Sequence, residues 1–213
     1  MPDQSDKMQL SPDQIIELLK EGNERFKSNH QTKRDFQLEI KATRSAQAPD
    51  FVVLSCIDSR VSCELIFDQG IGDLFNIRLI GNVVSSDVLA SLEFACQQST
   101  AKLIVVMGHT NCGAIQGACD YVDSGHLKPS LAKINPSINK VSKQFGERSS
   151  QNDAFVNEAA KIHVHDVVKS IKERSDVLKK LENEGKIKII GAMYDVRSGN
   201  VIFFDSVTSE YSL

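Results

Sequence analysis

The sequence predicts an α/β fold: a mainly parallel β-sheet flanked by helices, with an N-terminal helical arm and an antiparallel strand at the C-terminal edge. Three observations carry this prediction. Strand-like apolar runs alternate with segments of helical period along most of the chain. The run KLIVVMGH (102–109) is almost wholly apolar, as a central strand buried on both faces should be. The last two runs, KIKIIGAMYDV (186–196) and NVIFFD (200–205), are joined by a turn at RSGN, close enough for an edge hairpin.

Taken in order, LSPDQIIELLKEGNERFKSN reads as a helix. Ser11 is a good N-cap, Pro12 suits the first helical position and Gln14 completes a capping box. Ile15, Leu18, Leu19 and Phe26 recur at helical spacing. Residues 30–50 are polar and read as an arm or loop. FVVLS (51–55) is a first strand, followed by a short helix around 63–68. DLFNIRLI (73–80) is a second strand, and SSDVLASLEFACQQ (85–98) a helix capped by Ser85 or Ser86. The third strand is 102–109, and a helix starts near Cys112. Helix is expected between 128 and 145. Residues 152–183 read as one long helix with apolar positions at Ala159, Ile162, Val167, Val168, Ile171 and Leu178.

A chain of 213 residues has room for one large domain. We read 1–213 as a single domain, with an N-terminal helix and arm at 1–50 and the α/β core at 51–213. A net charge of −3 gives no reason to expect a nucleic-acid or membrane surface. The N-terminal residues are polar and acidic, without the apolar core of a signal peptide, so a cytoplasmic protein is expected. The five cysteines then read as free thiols or metal ligands.

The chemistry concentrates after two strands. Cys56-Ile57-Asp58-Ser59-Arg60 follows the first, and Gly108-His109-Thr110-Asn111-Cys112-Gly113 the third. Ligands of open α/β sheets sit beyond the carboxyl ends of the strands. If these strands are neighbours, Cys56, His109 and Cys112 converge as a Cys₂His set, for which zinc is the natural occupant. Three protein ligands leave a fourth position open, as catalytic zinc sites do. Other readings of the same residues are small buried hydrophobes, a non-catalytic zinc module, or a cysteine nucleophile with His109 as base.

The chain resembles the β-class carbonic anhydrases. The resemblance rests on Cys56-Ile57-Asp58-Ser59-Arg60-Val61, Glu64-Leu65-Ile66-Phe67-Asp68, Gly72-Asp73-Leu74-Phe75 with Arg78 and Gly81-Asn82, GHTNCGAI around His109 and Cys112, SLEFA (91–95) and GAMYDVRSG (191–199). It implies a zinc lyase that reversibly hydrates carbon dioxide to bicarbonate and a proton. One zinc per chain would be held by Cys56, His109 and Cys112, with water as fourth ligand. It implies that Asp58, paired with Arg60, orients the nucleophile. A loss of activity below about pH 7 is expected as well, as protons load the metal site and the dyad. It also implies that Phe75, Ile80 and Phe94 line the carbon dioxide slot, that Gly113 allows close approach, and that Gln47 reaches the substrate from a neighbouring subunit. A homodimer or dimer-based homotetramer is expected, with the helix at 11–28 packed on the partner.

The chain departs from the family pattern in two places. Ser62-Cys63 stand where many members have proline. There is no tryptophan, and Val53 falls about where an inhibitory bicarbonate site would need one, so the open form with the dyad intact is expected. His163 and His165 lie two apart on one helix, on different faces, and read as surface or interface residues.

Overall fold

The computed structural model describes residues 10–204. Five strands form one sheet in the order β2-β1-β3-β4-β5. They are β1 (Phe51–Ser55), β2 (Leu74–Arg78), β3 (Leu103–His109), β4 (Lys188–Tyr194) and β5 (Val201–Phe203). β1, β2, β3 and β4 are parallel to their neighbours, and β5 returns antiparallel on β4. β3 is buried at every position, in keeping with its apolar sequence. The chain runs from β1 to β2 on one side and then crosses to β3 on the other. The carboxyl ends of β1 and β3 therefore meet at a topological switch point.

Alternating side chains divide the core in two. Val52, Leu54, Ile104, Val106 and Ile189 face a helical layer dominated by α8 (Asp153–Arg174). Phe51, Val53, Leu103, Val105 and Ile190 face α1 (Pro12–Lys27).

α1 begins at the anticipated capping box, with Ser11 and Gln14 exchanging hydrogen bonds of 2.8 and 3.3 Å. Its placement is a correction. Ile15 and Leu19 are fully buried against this chain's own sheet, not held out for a partner. Gly22 and Asn23 explain the fit. A Cβ on Gly22 would lie 2.0 Å from the Phe67 carbonyl oxygen, so only glycine allows the helix this close. Asn23 donates to the carbonyls of Ile66 and Gly199 and accepts from the Val201 N–H, stitching the helix to two loops.

The polar stretch 30–50 also differs from expectation, since it holds a helix, α2 (Phe36–Thr43), capped by Asp35. The arm carrying α2 is tied down at its root by Asp68, which sits at the end of a short helix, α3 (Cys63–Ile66). The Asp68 carboxylate accepts from Arg25 Nε at 2.6 Å and from the N–H and hydroxyl of Thr32. Arg34 donates to the Asp68 carbonyl. Burial pushes the Asp68 carboxyl up, but the bonds from Arg25 and Thr32 outweigh it and the net shift is downward. A carboxyl lowered on folding stabilises above its unfolded pKa of about 4 and loses that contribution as pH falls below it. Asp68→Ala is expected to cost about 2 kcal/mol in urea unfolding at neutral pH and clearly less at pH 3. An equal loss at both pH values would show that the carboxylate charge is irrelevant.

The remaining elements follow the sequence with local breaks. α4 (Ser86–Glu93) continues into a π turn at 94–98. α5 (Gly113–Cys119) starts directly after Cys112. The helix expected over 128–145 is broken into α6 (Leu127–Ala132), α7 (Asn135–Ile138), with Pro136 at its start, and a 3₁₀ turn at Lys143–Phe145. The long helix expected over 152–183 breaks at Ser175, whose hydroxyl caps α9 (Asp176–Asn183) by accepting from the Leu178 N–H. The strand expected over 200–205 is observed over Val201–Phe203, and Asp205 lies outside the described residues. Among the described residues no helix is long and apolar enough to cross a membrane.

Candidate metal centre

Cys56 is the first residue beyond β1, His109 the last of β3, and Cys112 the N-cap of α5. β1 pairs with β3 so that Ser55 lies opposite Met107. Cys56 and His109 thus emerge side by side at the sheet's carboxyl edge, and the tight turn through Asn111 (φ 53°) brings Cys112 back over them. The ligand atoms of Cys56, His109 and Cys112 all lie within 4.8 Å of one another, and all three residues are buried.

The protonation pattern fits a cation. His109 Nδ1 lies 2.9 Å from the Thr110 carbonyl oxygen. A carbonyl can only accept, so Nδ1 carries the hydrogen and Nε2 presents a lone pair. That Nε2 is buried without a hydrogen-bond partner, a costly arrangement unless something binds it. The Thr110 carbonyl is fixed in turn, because the Thr110 N–H donates to Tyr194 and its hydroxyl to Asp195 at 3.0 Å. Fixing one ring nitrogen of a histidine in this way orients the other toward a metal.

The sulfurs complete the case. A bond from Cys112 brings the Cys56 thiol down to about 4; burial opposes this, and the N–H groups of Gly81 and Asp58 assist. The same bond, with burial, pushes Cys112 up, while the N–H groups of Ile115 and Ala114 pull it down. A thiolate, a second sulfur holding its proton and a bare imidazole nitrogen form a soft, electron-rich cluster that a zinc ion satisfies at all three points.

Asp58 and Arg60 lie beside this cluster. Arg60 Nε donates to Asp58 Oδ1 at 2.9 Å and Nη2 to Oδ2 at 2.7 Å, a bidentate pair, with the Arg60 N–H adding a third bond to Oδ1. Hydrogen bonding from Arg60 brings the Asp58 carboxyl down to about 2. Asp58 Oδ2 is 3.9 Å from His109 Nε2, too far to bond the ring and close enough to share a small molecule with it. Since the carboxyl is lowered, the pairing contributes fully above about pH 4 and is lost only as pH falls toward 2. The dyad therefore does not titrate near pH 7, contrary to the sequence expectation.

The other sequence-derived site residues are more scattered. Phe75 and Phe94 meet edge to face, ring centroids 6.2 Å apart. They line an open groove of about 360 Å³ with Asn76, Ile77, Ala90 and Ser91, which contains none of the three metal ligands. Ile80 begins the 3₁₀ turn at Ile80–Asn82 and is half-buried. Gly113 follows Cys112, and a Cβ there would meet nothing within 4 Å. Gln47 is exposed and makes no hydrogen bond to the described residues. Cys63 is buried and turned to the Ser55 hydroxyl, with burial pushing its thiol up to about 12.

Some functional contacts had no clear signal in the sequence. Arg78 braces the Cys56–Asp58 loop by donating to both carbonyls, at 3.2 and 2.7 Å. His163 is not a surface residue: it is 3% exposed and hydrogen-bonded. His165 is half-buried and stacked on Phe204.

A family model described as Carbonic anhydrase matches residues 51–201. Carbonic anhydrase 2 of Mycobacterium tuberculosis is 33% identical over 195 residues, covering 89% of this chain and 91% of the relative. Two solved structures share the fold. A Coccomyxa β-carbonic anhydrase in complex with acetazolamide has a TM-score of 0.71 at 23% identity, covering 78% of this chain and 77% of the other. A tetrameric β-carbonic anhydrase from Sordaria macrospora has a TM-score of 0.69 at 23% identity, covering 86% and 90%.

Proposed function

The chain belongs to the β-class carbonic anhydrases, and we propose that within it Asp58 and Arg60 orient the reacting water while a second copy of the chain completes the substrate site. The activity is the zinc-dependent, reversible hydration of carbon dioxide to bicarbonate and a proton. Cys56, His109 and Cys112 are the zinc ligands, one ion per chain. The observation that carries the reading is the buried, unpartnered Nε2 of His109 beside two sulfurs.

When bound, zinc supplies the Lewis acidity that lets a water ionise near neutral pH, at about 7 in the three-histidine carbonic anhydrases. The chain's own residues do the rest. Arg60 keeps Asp58 ionised and fixed by two parallel bonds. Oδ2, on the side facing His109, can accept an O–H from the reacting molecule. That hydrogen bond fixes which lone pair points at the carbon of carbon dioxide. A C–O bond forms, bicarbonate leaves and the proton goes to solvent.

Carbon dioxide is small and apolar, which suits a slot lined by Phe75, Ile80 and Phe94, with Gly113 leaving open space beside Cys112. Gln47, exposed and without a hydrogen bond to the described residues, is available to a neighbouring copy. The assembly proposed is a dimer or dimer-based tetramer. Its support is α2, which buries none of its residues and leaves Phe36, Leu38 and Ile40 exposed by 55%, 46% and 48%. Phe36 and Ile40, one turn apart, share a face suited to a second copy.

Metal analysis and a carbon dioxide hydration assay on the same sample test the function. About one zinc per chain with hydration activity is expected. No metal would instead favour a cysteine nucleophile, and metal without activity a binding module. For assembly, Phe36→Ser with Ile40→Ser is expected to shift light-scattering mass toward the monomer and lower activity while zinc is retained. A parent that is monomeric at micromolar concentration and fully active would refute the shared site.

A further inference from the structure

We infer that Asn157 is a positioning residue: it holds the peptide group between Thr110 and Asn111, whose other end turns His109 toward the metal. This rests on the zinc reading of Cys56, His109 and Cys112.

The segment from His109 to Cys112 carries two of the three candidate ligands. Its first half is tied to β4. His109 pairs with Tyr194 in the ladder, and Thr110 donates its N–H to the Tyr194 carbonyl at 2.9 Å and its hydroxyl to Asp195 at 3.0 Å. Its second half lies beyond the sheet. Asn111 has φ 53°, in the left-handed region, which asparagine tolerates better than most residues and which persists where the surroundings hold it. Here the start of α8 does the holding. Asn157 Oδ1 accepts from the Asn111 N–H at 2.9 Å. Asp153 Oδ1, one turn earlier on the same helix face, accepts from Asn111 Nδ2 at 3.3 Å. Arg197 pairs with the other oxygen of Asp153 at 2.7 Å.

The Asn111 N–H and the Thr110 carbonyl are the two ends of one peptide group. That group is planar and trans, so its ends point in opposite directions and move together. One end is held by Asn157 at 2.9 Å, and the other accepts from His109 Nδ1 at 2.9 Å. Two hydrogen bonds and one rigid plane therefore run in line from α8 to the imidazole, whose Nε2 is the ligand atom. The bonds of Thr110 to β4 fix that residue through its side chain and the plane before it. Asn157 holds the plane of the carbonyl itself. Without it, rotation of that plane would swing the carbonyl off the Nδ1–H and loosen the ring. A backbone N–H can only donate, so the carboxamide oxygen of Asn157 faces Asn111, and the contact involves no titrating group. Partners that orient a ligating histidine are worth roughly 10–100-fold in metal affinity.

The test measures zinc affinity of the full chain by chelator competition, and the absorption bands of the centre after cobalt(II) substitution. Asn157→Leu matches the carboxamide in shape and removes the acceptor. Asn157 acts one peptide group beyond the histidine's direct partner, so the expected loss in zinc affinity is about 10-fold, the lower end of that range. The cobalt bands are expected to shift with it. Asn157→Asp keeps an oxygen in the same place and is expected to recover most of the loss. Equal affinity and unchanged bands in Asn157→Leu would overturn the inference, as would Asn157→Asp failing as badly as leucine. Should Asn157→Leu not fold, Asn157→Ala, a stronger helix former, takes its place. Weaker zinc with shifted bands is expected there too, and parent-like values would overturn the inference. A parent chain that takes up neither zinc nor cobalt would overturn the metal reading and this inference with it. A parent that binds both, with Asn157→Leu unchanged, would overturn the inference alone.

Discussion

Replacing His109 with alanine is expected to strip the centre of metal and abolish hydration. The substitution removes the only nitrogen ligand and leaves the sulfurs of Cys56 and Cys112 facing a cavity. Structural zinc sites with four ligands bind with about 10–16 kcal/mol, so one ligand is worth on the order of 3–4 kcal/mol. That is roughly a hundredfold to a thousandfold in affinity. Dialysed His109→Ala should hold little zinc and show activity near background. Full zinc content after dialysis would undo the ligand assignment.

Asp58→Asn should do something different: leave the metal in place and lower turnover. The amide has the shape of the carboxylate but no charge, and one of its two acceptor atoms becomes a donor. The bidentate pairing with Arg60 is lost, and the group facing His109 can no longer be relied on as an acceptor. A positioned proton acceptor contributes typically 10²–10⁴-fold, so a fall in kcat of at least about a hundredfold is expected, with zinc content unchanged. Parent-like turnover would reduce the dyad to a loop brace. Because Asp58 is brought down to about 2, its own titration lies far below the neutral range. An acid limb near pH 7 in the parent would thus belong to another group.

Much of the fold was legible because local chemistry and global packing agree. The capping box at Ser11, the apolar run of β3 and the Cys₂His set beyond two strand ends each needed a short stretch of sequence. What escaped shows where that legibility stops. Phe36, Leu38 and Ile40 alternate, so the helix that holds them lacks the usual apolar spacing, and 30–50 read as a loop. Ser175 breaks a helix without glycine or proline nearby, because a hydroxyl caps the next helix through a contact that residue spacing does not mark. α1 carried an amphipathic pattern, which says that a surface is needed but not whose. The carboxamide of Asn23 and the bare backbone at Gly22 decide that. At the site, side-chain ligands were legible while main-chain partners were not. The Thr110 carbonyl that turns His109, and the Cys56 and Asp58 carbonyls that Arg78 braces, depend on which loops the fold brings together. The spacing of His163 and His165 did place them on different faces, but α8 is buried around much of its circumference, so the surface reading of His163 failed.

Main-chain N–H groups of Gly81 and Asp58 help to lower the Cys56 thiol, and those of Ile115 and Ala114 pull Cys112 down against its burial. Such donors are supplied by every amino acid except proline. The sulfurs ask nothing of the side chains at 114 and 115, which are buried and held by core packing instead. Gly81 is held for a separate reason, its left-handed backbone. Proline is barred from all four positions, so what the sulfurs themselves require of these residues is a constraint on the backbone and not on the side chains.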